Sequence, residues 1–342
     1  MRLALSPSSV ALNGAALAVV TLALAACSDS PVAPSAPASH SAPPAPERAI
    51  TAAANSWATK APMPTKRSQL VAGTINGIIY AVGGRDWIAG TILKTVEAYN
   101  PATNTWSAKA PLPSPRLGLI GASTINGRLY VTGGMNSSFQ FTKNLFVYNP
   151  STNSWAQKAS MPQAGGCGAQ GVINGQLYVY VGCTGVAFAH QLFRYNPSTN
   201  SWTTLAPPPS QHAFPAAGVI NGVFFVAGGI DDGASPKLTV DAYNPATNTW
   251  TTMGGLLPEP QANMGSGVIS GKLYAVGGGG PTASATTTLR AYDPVADSWT
   301  DKASMPTGRY NLASAVVKGQ LYAIGGADEN GAALAKNEVY TP

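Results

Sequence analysis

One segment recurs along this chain and dictates what it can fold into. Tyr99-Asn100-Pro101-Ala102-Thr103-Asn104-Thr105-Trp106 returns, with small changes, at 148–155, 195–202, 243–250 and 292–299. The matching tryptophans stand at 57, 106, 155, 202, 250 and 299, so the spacing is 47 to 49 residues. The sixth copy is divided. Tyr340-Thr341-Pro342 closes the sequence, and its Trp57 lies near the start. Periods of roughly 20–50 residues mark solenoids, propellers or arrays. A unit that begins at one end of the sequence and finishes at the other implies a closed ring.

The unit is made of strands. Ile125-Asn126-Gly127-Arg128-Leu129-Tyr130 reads as two strands joined by an Asn-Gly turn, the pair that suits a type I′ hairpin because both central residues need positive φ. The same slot holds Asn76-Gly77, Asn174-Gly175, Asn221-Gly222, Ser270-Gly271 and Lys318-Gly319. In the Asn-Pro-x-Thr-Asn segments, Pro fixes the second turn residue and the later Asn tolerates a left-handed conformation. Each unit is therefore two hairpins, and no 3.6-residue apolar period follows residue 50. A four-stranded sheet cannot bury both faces alone, whereas six packed radially can. The expected fold is all-β: a six-bladed propeller with four antiparallel strands per blade, closed by the N-terminal strand near Trp57. The repeated Tyr and Trp are expected in the core between blades.

Residues 53–342 resemble kelch repeats. The resemblance rests on the Tyr, on the Trp seven residues later, and on the pairs Gly83-Gly84, Gly133-Gly134, Gly228-Gly229, Gly277-Gly278 and Gly325-Gly326. It implies a six-bladed propeller, usually a binding scaffold and occasionally an enzyme. The third unit departs from the pattern: its Gly182-Cys183 comes one residue late after Tyr178, which suggests a β-bulge.

The three cysteines divide into two groups. Leu24-Ala25-Ala26-Cys27, after an apolar run from about Val10, resembles a bacterial lipobox. Residues 1–26 then read as a lipoprotein signal, with Cys27 lipidated; an ordinary cleaved signal peptide or an uncleaved span are the alternatives. Two acyl chains hold a protein on a membrane where one does not. Residues 27–52, rich in Ala, Pro and Ser, read as an extended linker that carries the solvated His40. Ser28 after the acylated position resembles lipoproteins sent to the outer membrane, so the expected location is the cell envelope. Cys167 and Cys183 flank a hairpin. With Asn174-Gly175 as its two-residue loop, Cys167 faces Gly182. A one-residue bulge in the second strand would bring Cys183 opposite Cys167 instead, and an exported protein permits the disulfide.

The formal charge is +6, yet charged residues make up only 10% of the chain, against about 25% in a typical soluble domain. The basic residues are scattered, so no nucleic-acid footprint is present. In a propeller, the loops between blades and those after the Gly pairs share one face, and function concentrates on such loops. The interblade candidates are Arg67, Arg116, His212, Asn263, Arg309 and Tyr310. The loops after the Gly pairs add Arg85, Asp86, Trp87, Asn136, Asp231, Asp232, Asp328 and Glu329. Trp87 is the one tryptophan outside the repeat. Arg67, Arg116 and Arg309 match the Arg that often opens a kelch repeat, a position that either meets ligand or bonds loop carbonyls. The acidic turns lack the alternating carboxylates of a calcium loop, and His40, His190 and His212 offer no copper site, so no metal and no cofactor are expected. Two functions remain in contention. The first is a monomeric, non-catalytic scaffold for a protein, peptide or glycan. The alternative is an exported sugar mutarotase resembling the kelch-type sialic acid enzymes, whose acid/base chemistry would fall to Asp86, Asp231 or Glu329.

Overall fold

The computed structural model describes residues 54–185, 188–232, 234–280 and 285–342. The proposed leader, Cys27 and the linker with His40 lie outside the described residues. Residues 51–342 form one compact unit. It contains six four-stranded antiparallel sheets and, among the described residues, no helix. The first blade runs Val71–Ile75, Ile78–Val82, Val96–Asn100 and Thr105–Ala108, each strand bonded to the next. Blades two to five repeat this order, and their innermost strands are Gly121–Ile125, Ala169–Ile173, Ala216–Ile220 and Gly265–Ile269. The sixth takes Ala313–Val317, Gln320–Ile324 and Asn337–Thr341 from the end of the chain and Ser56–Thr59 from its start. The register there pairs Trp57 with Tyr340 and Ala58 with Val339, so the expected clasp exists.

Local chemistry explains the strand boundaries. Asn126 and Gly127 turn the second blade's first hairpin with φ of 49° and 69°, values that an Asn-Gly pair adopts with little strain. The second and third strands are buried along nearly their whole length, because each is covered by a blade on both faces. The outer strands expose most residues. The innermost strands carry small residues where blades converge on the axis. A Cβ at Gly73 would stand 2.5 Å from the Leu129 side chain and 2.9 Å from the Ala122 carbonyl oxygen. Apolar clusters fill the spaces between neighbouring blades. Between the first and second, for example, Val82, Leu129, Val131, Phe146 and Tyr148 pack together, with Tyr80 and Tyr148 centroids 5.4 Å apart.

The repeated Tyr and Trp take different places. Tyr99, Tyr148, Tyr195, Tyr243, Tyr292 and Tyr340 are buried, as expected. The tryptophans are only half-buried and join adjacent blades through hydrogen bonds. Trp155 Nε1 donates to the Ala110 carbonyl at 2.8 Å, and the neighbouring Asn153 Oδ1 accepts from Ala110 N–H at 2.9 Å and from the Tyr148 hydroxyl at 2.7 Å. Asn104, Asn200 and Asn248 repeat this latch, each at positive φ. Asp297 replaces Asn in the fifth blade. At the closure, Asn55 bonds both Tyr340 and Ala303.

Cys167 and Cys183 are disulfide-bonded, with Cα atoms 5.3 Å apart. The route to the bond differs from the expected one. The first two strands of the third blade keep an unbroken register, and Gly166 remains opposite Cys183. The irregularity lies between Val181 and Cys183 on the other side, against the third strand. Cys167 instead adopts a left-handed φ of 54°, and that backbone setting brings its side chain to its partner.

Candidate functional site

The interblade segments pair with the loops after the Gly pairs and build one face. Ser68 bridges Arg85, Leu117 bridges Met135, Gly166 bridges Cys183, Ala213 bridges Ile230, Ala262 bridges Gly279 and Tyr310 bridges Ala327. The next residue in each unit is Gln69, Gly118, Cys167, Phe214, Asn263 or Asn311, and all six have positive φ. They face the axis and link head to tail. Gly118 N–H donates to Gln69, Gln69 to Asn311, Asn311 to Asn263, Asn263 to Phe214, and Phe214 to Cys167, at 2.7 to 3.0 Å. This backbone ring encircles a cavity of about 120 Å³ that it lines with Pro215 and Met264. Below it the six inner strands enclose an axial cavity of about 380 Å³ lined by Gly, Ala, Ser and Val.

The mouth is neutral and mixed in character. Gln69, Asn263 and Asn311 bring three amides, Phe214 brings a ring, and the disulfide forms part of the wall. Gln69 Oε1 is buried without a hydrogen-bond partner. An amide acceptor left unpaired in this way favours a ligand that donates a hydrogen bond. Of these residues the sequence singled out Asn263 as a loop-face candidate and Cys167 and Cys183 as a disulfide pair. Gln69, Phe214 and Asn311 occupy the same place in other units, two residues after the repeat's opening position, and superposing the units would have found them.

The opening position itself is interior. Arg67, Arg116, His212 and Arg309 lie there with Gly165 and Gln261, and all four are buried. Arg67 donates to Glu97 and to the Thr65 and Ala81 carbonyls. Arg309 donates to Glu338 at 2.7 Å and to the Ala323 carbonyl at 3.1 Å. Burial pulls the Arg309 guanidinium down to about 10, partly offset by Glu338. Arg116 bonds the Pro115 carbonyl and Asn144 and stacks over Phe146. His212 replaces the arginine in the fourth blade, with Nδ1 2.7 Å from the Gly228 carbonyl and Nε2 2.9 Å from Asp241. Burial would raise the Asp241 carboxyl, but hydrogen bonds from His212 and Thr252 outweigh it and hold the group below its ordinary value. In the third blade a side chain in place of Gly165 would run into Val181 and the Cys183 backbone. These four residues therefore tie each interblade segment to its own blade. All four are buried, and their hydrogen bonds run inward.

The acidic and amide loop candidates hold their own turns. Asp86 Oδ1 accepts from the Ile88 and Ala89 amides, and Oδ2 lies 3.5 Å from Lys66 Nζ. Asn136 caps Ser138 and Gln140. Asp231 caps Ser235 and pairs with Lys237 at 2.8 Å. Asp328 caps Asn330 and Ala332. Asp232 and Glu329 are exposed at loop tips, and Tyr310 is half-buried. Among the described residues no group of three or more His, Cys, Asp or Glu is placed to share a metal ion.

Arg85 and Trp87 do come together. The Arg85 guanidinium carbon lies 3.3 Å from the Trp87 ring centroid and 4.9 Å from that of Phe139, which reaches over from the second blade. Phe139 was not anticipated from sequence. Its signal would have been an apolar residue in a loop of Asn, Ser and Gln after Gly133-Gly134.

Comparison with known proteins agrees with this architecture. The sequence pattern of the KLHDC2/KLHL20/DRC7 Kelch-repeats domain matches residues 122–326, and the Kelch motif matches residues 66–113. No curated protein matches the chain. The solved structure of YjhT superposes with a TM-score of 0.71 at 20% identity, over 82% of this chain and 96% of YjhT. At that identity the likeness concerns the fold alone. With its matched repeats spanning more than half of the sequence, the chain belongs to the kelch-repeat β-propeller family.

Proposed function

We propose that this protein is a non-catalytic binding scaffold of the cell envelope, taking a protein, peptide or glycan on the loop face of its propeller. The observation that carries the reading is the mouth. Three amides and a phenyl ring line a cavity of about 120 Å³, a recognition surface of apolar walls with a few placed polar groups. The groups that could move protons are occupied elsewhere. His212 and Asp241 are sealed in the interior, and Asp86, Asp231 and Asp328 cap their own loops. A mutarotase needs an acid and a base at the sugar ring, and among the loop-face carboxylates described, Asp232 and Glu329 are the exposed ones that could be recruited.

The proposal extends to location. Lipidation at Cys27 would tether a monomeric propeller to a membrane, the outer one in the reading favoured here. Asn55 immediately precedes the outer strand Ser56–Thr59 of the sixth blade and accepts from the Tyr340 hydroxyl at 2.7 Å. Mass spectrometry of the mature N-terminus tests the anchor; an unacylated Cys27 in the envelope fraction refutes it. A thermal-shift screen of the chain from residue 53 against glycans and peptides tests the binding reading, since a ligand of the folded state raises the melting temperature. NMR of sialic acid anomers separates the functions: accelerated exchange, abolished by D232N or E329Q, would establish the enzyme instead.

A further inference from the structure

The loop face holds a second recognition element outside the mouth, and it is cationic. Arg85 is only 9% exposed. Aromatic rings contact its guanidinium from two different blades, and its Nε and Nη1 are buried with no hydrogen-bond partner. The nearest carboxylate in sequence is committed elsewhere, because Asp86 caps the Ile88 and Ala89 amides and faces Lys66. The cation therefore lacks a counter-charge among the described residues. Around it the surface is apolar and open: Trp87 is 45%, Ile88 74% and Phe139 53% exposed. Large apolar side chains grouped at a surface mark interaction sites, and arginine with aromatic neighbours is the typical centre of one.

We propose that Arg85 with Trp87, Ile88 and Phe139 is the docking site for an extended peptide segment whose acidic side chain is flanked by apolar residues. The inference rests on the loop-face binding reading and narrows its ligand. A carboxylate fits the planar fork of the guanidinium, which can hold it through two parallel bonds. The choice of an internal acidic residue follows from the layout. Apolar surface lies on both sides of the cation, Trp87 and Ile88 on one blade and Phe139 on the next. A chain passing through covers both flanks, whereas a C-terminal carboxylate would leave one of them bare. Trp87 belongs to an exposed loop, and a shift of its indole would open the edge of the guanidinium to the ligand.

The test uses the full chain, labelled with ¹⁵N at arginine, and reads the Arg Nε–H correlation. The Arg85 signal is assigned by its loss in R85M, which removes the charge and the hydrogen-bond donors and keeps an unbranched apolar stem. Three probes are titrated: acetyl-Leu-Glu-Leu amide, acetyl-Leu-Gln-Leu amide, and acetyl-Leu-Leu with a free terminal carboxylate. The expected result is that the Glu peptide moves the Arg85 signal and binds about tenfold more tightly than the Gln peptide, the scale of one charge-assisted hydrogen bond. R85M should abolish that discrimination, and F139A should weaken binding while leaving the cation in place. Equal binding of the Glu and Gln peptides, an unmoved Arg85 signal, or preference for the terminal carboxylate overturns the proposal. So does a loop-face ligand found by screening that R85M binds as well as wild type does; the binding-scaffold reading would then stand without this site.

Discussion

The latch between blades yields the sharpest prediction, at Asn153. Its Oδ1 accepts from the Tyr148 hydroxyl and from the Ala110 amide of the preceding interblade segment, and its backbone holds φ at 47°. Asn153→Ala removes both acceptor contacts, each worth about 0.5–1.5 kcal/mol. It also places a residue with no αL preference in a left-handed conformation, at about 1–2 kcal/mol. The combined loss is about 2–5 kcal/mol. For a domain of this size that lowers Tm by roughly 4–20 °C, taking about 2–4 °C per kcal/mol. Two further substitutions separate the causes. Asn153→Gly restores the backbone freedom and keeps only the hydrogen-bond loss, so it should fall between Ala and wild type. Asn153→Asp keeps the acceptor, as Asp297 does in the fifth blade, and should lie within about 1 kcal/mol of wild type at neutral pH. Tyr148 remains a donor throughout, because burial pushes its hydroxyl up to about 12. The assay is thermal unfolding by circular dichroism with urea titration as a check. If the Ala, Gly and Asp variants all unfold within about 1 °C of wild type, the latch contributes nothing and the reasoning fails.

Three other outcomes follow from the same structure. Starting the chain at residue 61 removes the outer strand that pairs with Asn337–Thr341, and should expose Tyr340 and lower Tm by more than any single latch variant; an unchanged melting curve refutes the clasp. Reducing Cys167–Cys183 opens a loop with a sequence separation of 16 and should cost at most about 3 kcal/mol, with faster amide exchange confined to the third and fourth blades near the mouth. Asp297 has its carboxyl lowered, chiefly by the Tyr292 hydroxyl donating to it. A depressed carboxylate stabilises the fold above its unfolded value and loses that contribution as pH falls through the lower, folded value. Asp297→Asn should therefore flatten part of the stability loss below pH about 4 while hardly changing Tm at pH 7, and a parallel acid profile in wild type and variant would defeat it.

The ring was legible because it is written redundantly. Six Asn-Gly-type turns, six buried Tyr and six outer Trp each state the same strand pattern, and the divided sixth unit states the closure. The Tyr–Trp pair was read only halfway. A large aromatic every 48 residues signals burial, but the indole N–H bond to the next blade depends on where neighbouring blades sit, which no single repeat encodes. The disulfide was legible as a pairing and misread as a register, because the left-handed backbone at Cys167 is carried by a cysteine rather than by Gly or Asn.

The site was harder to read, for a related reason. Arg67, Arg116, His212 and Arg309 attracted notice as charged residues in interblade loops, yet charge in a loop says nothing about which way a side chain points. Glu97, Asp241 and Glu338, far away in sequence and fixed in the third strand of the same blades, draw three of them inward. The residues that face the axis stand two places later in each unit, and there the six copies differ in side chain: Gln, Gly, Cys, Phe, Asn and Asn. Their backbones are alike, every one left-handed and all six joined by five backbone hydrogen bonds. A position whose conformation is shared by all units while its side chain varies among them is free of the scaffold's demands on chemistry. On the ring that position surrounds the mouth cavity on the loop face, and on the neighbouring loops the same freedom leaves Arg85 between Trp87 and Phe139. In a closed repeat the search for function is thus best made where the backbone repeats and the side chains do not.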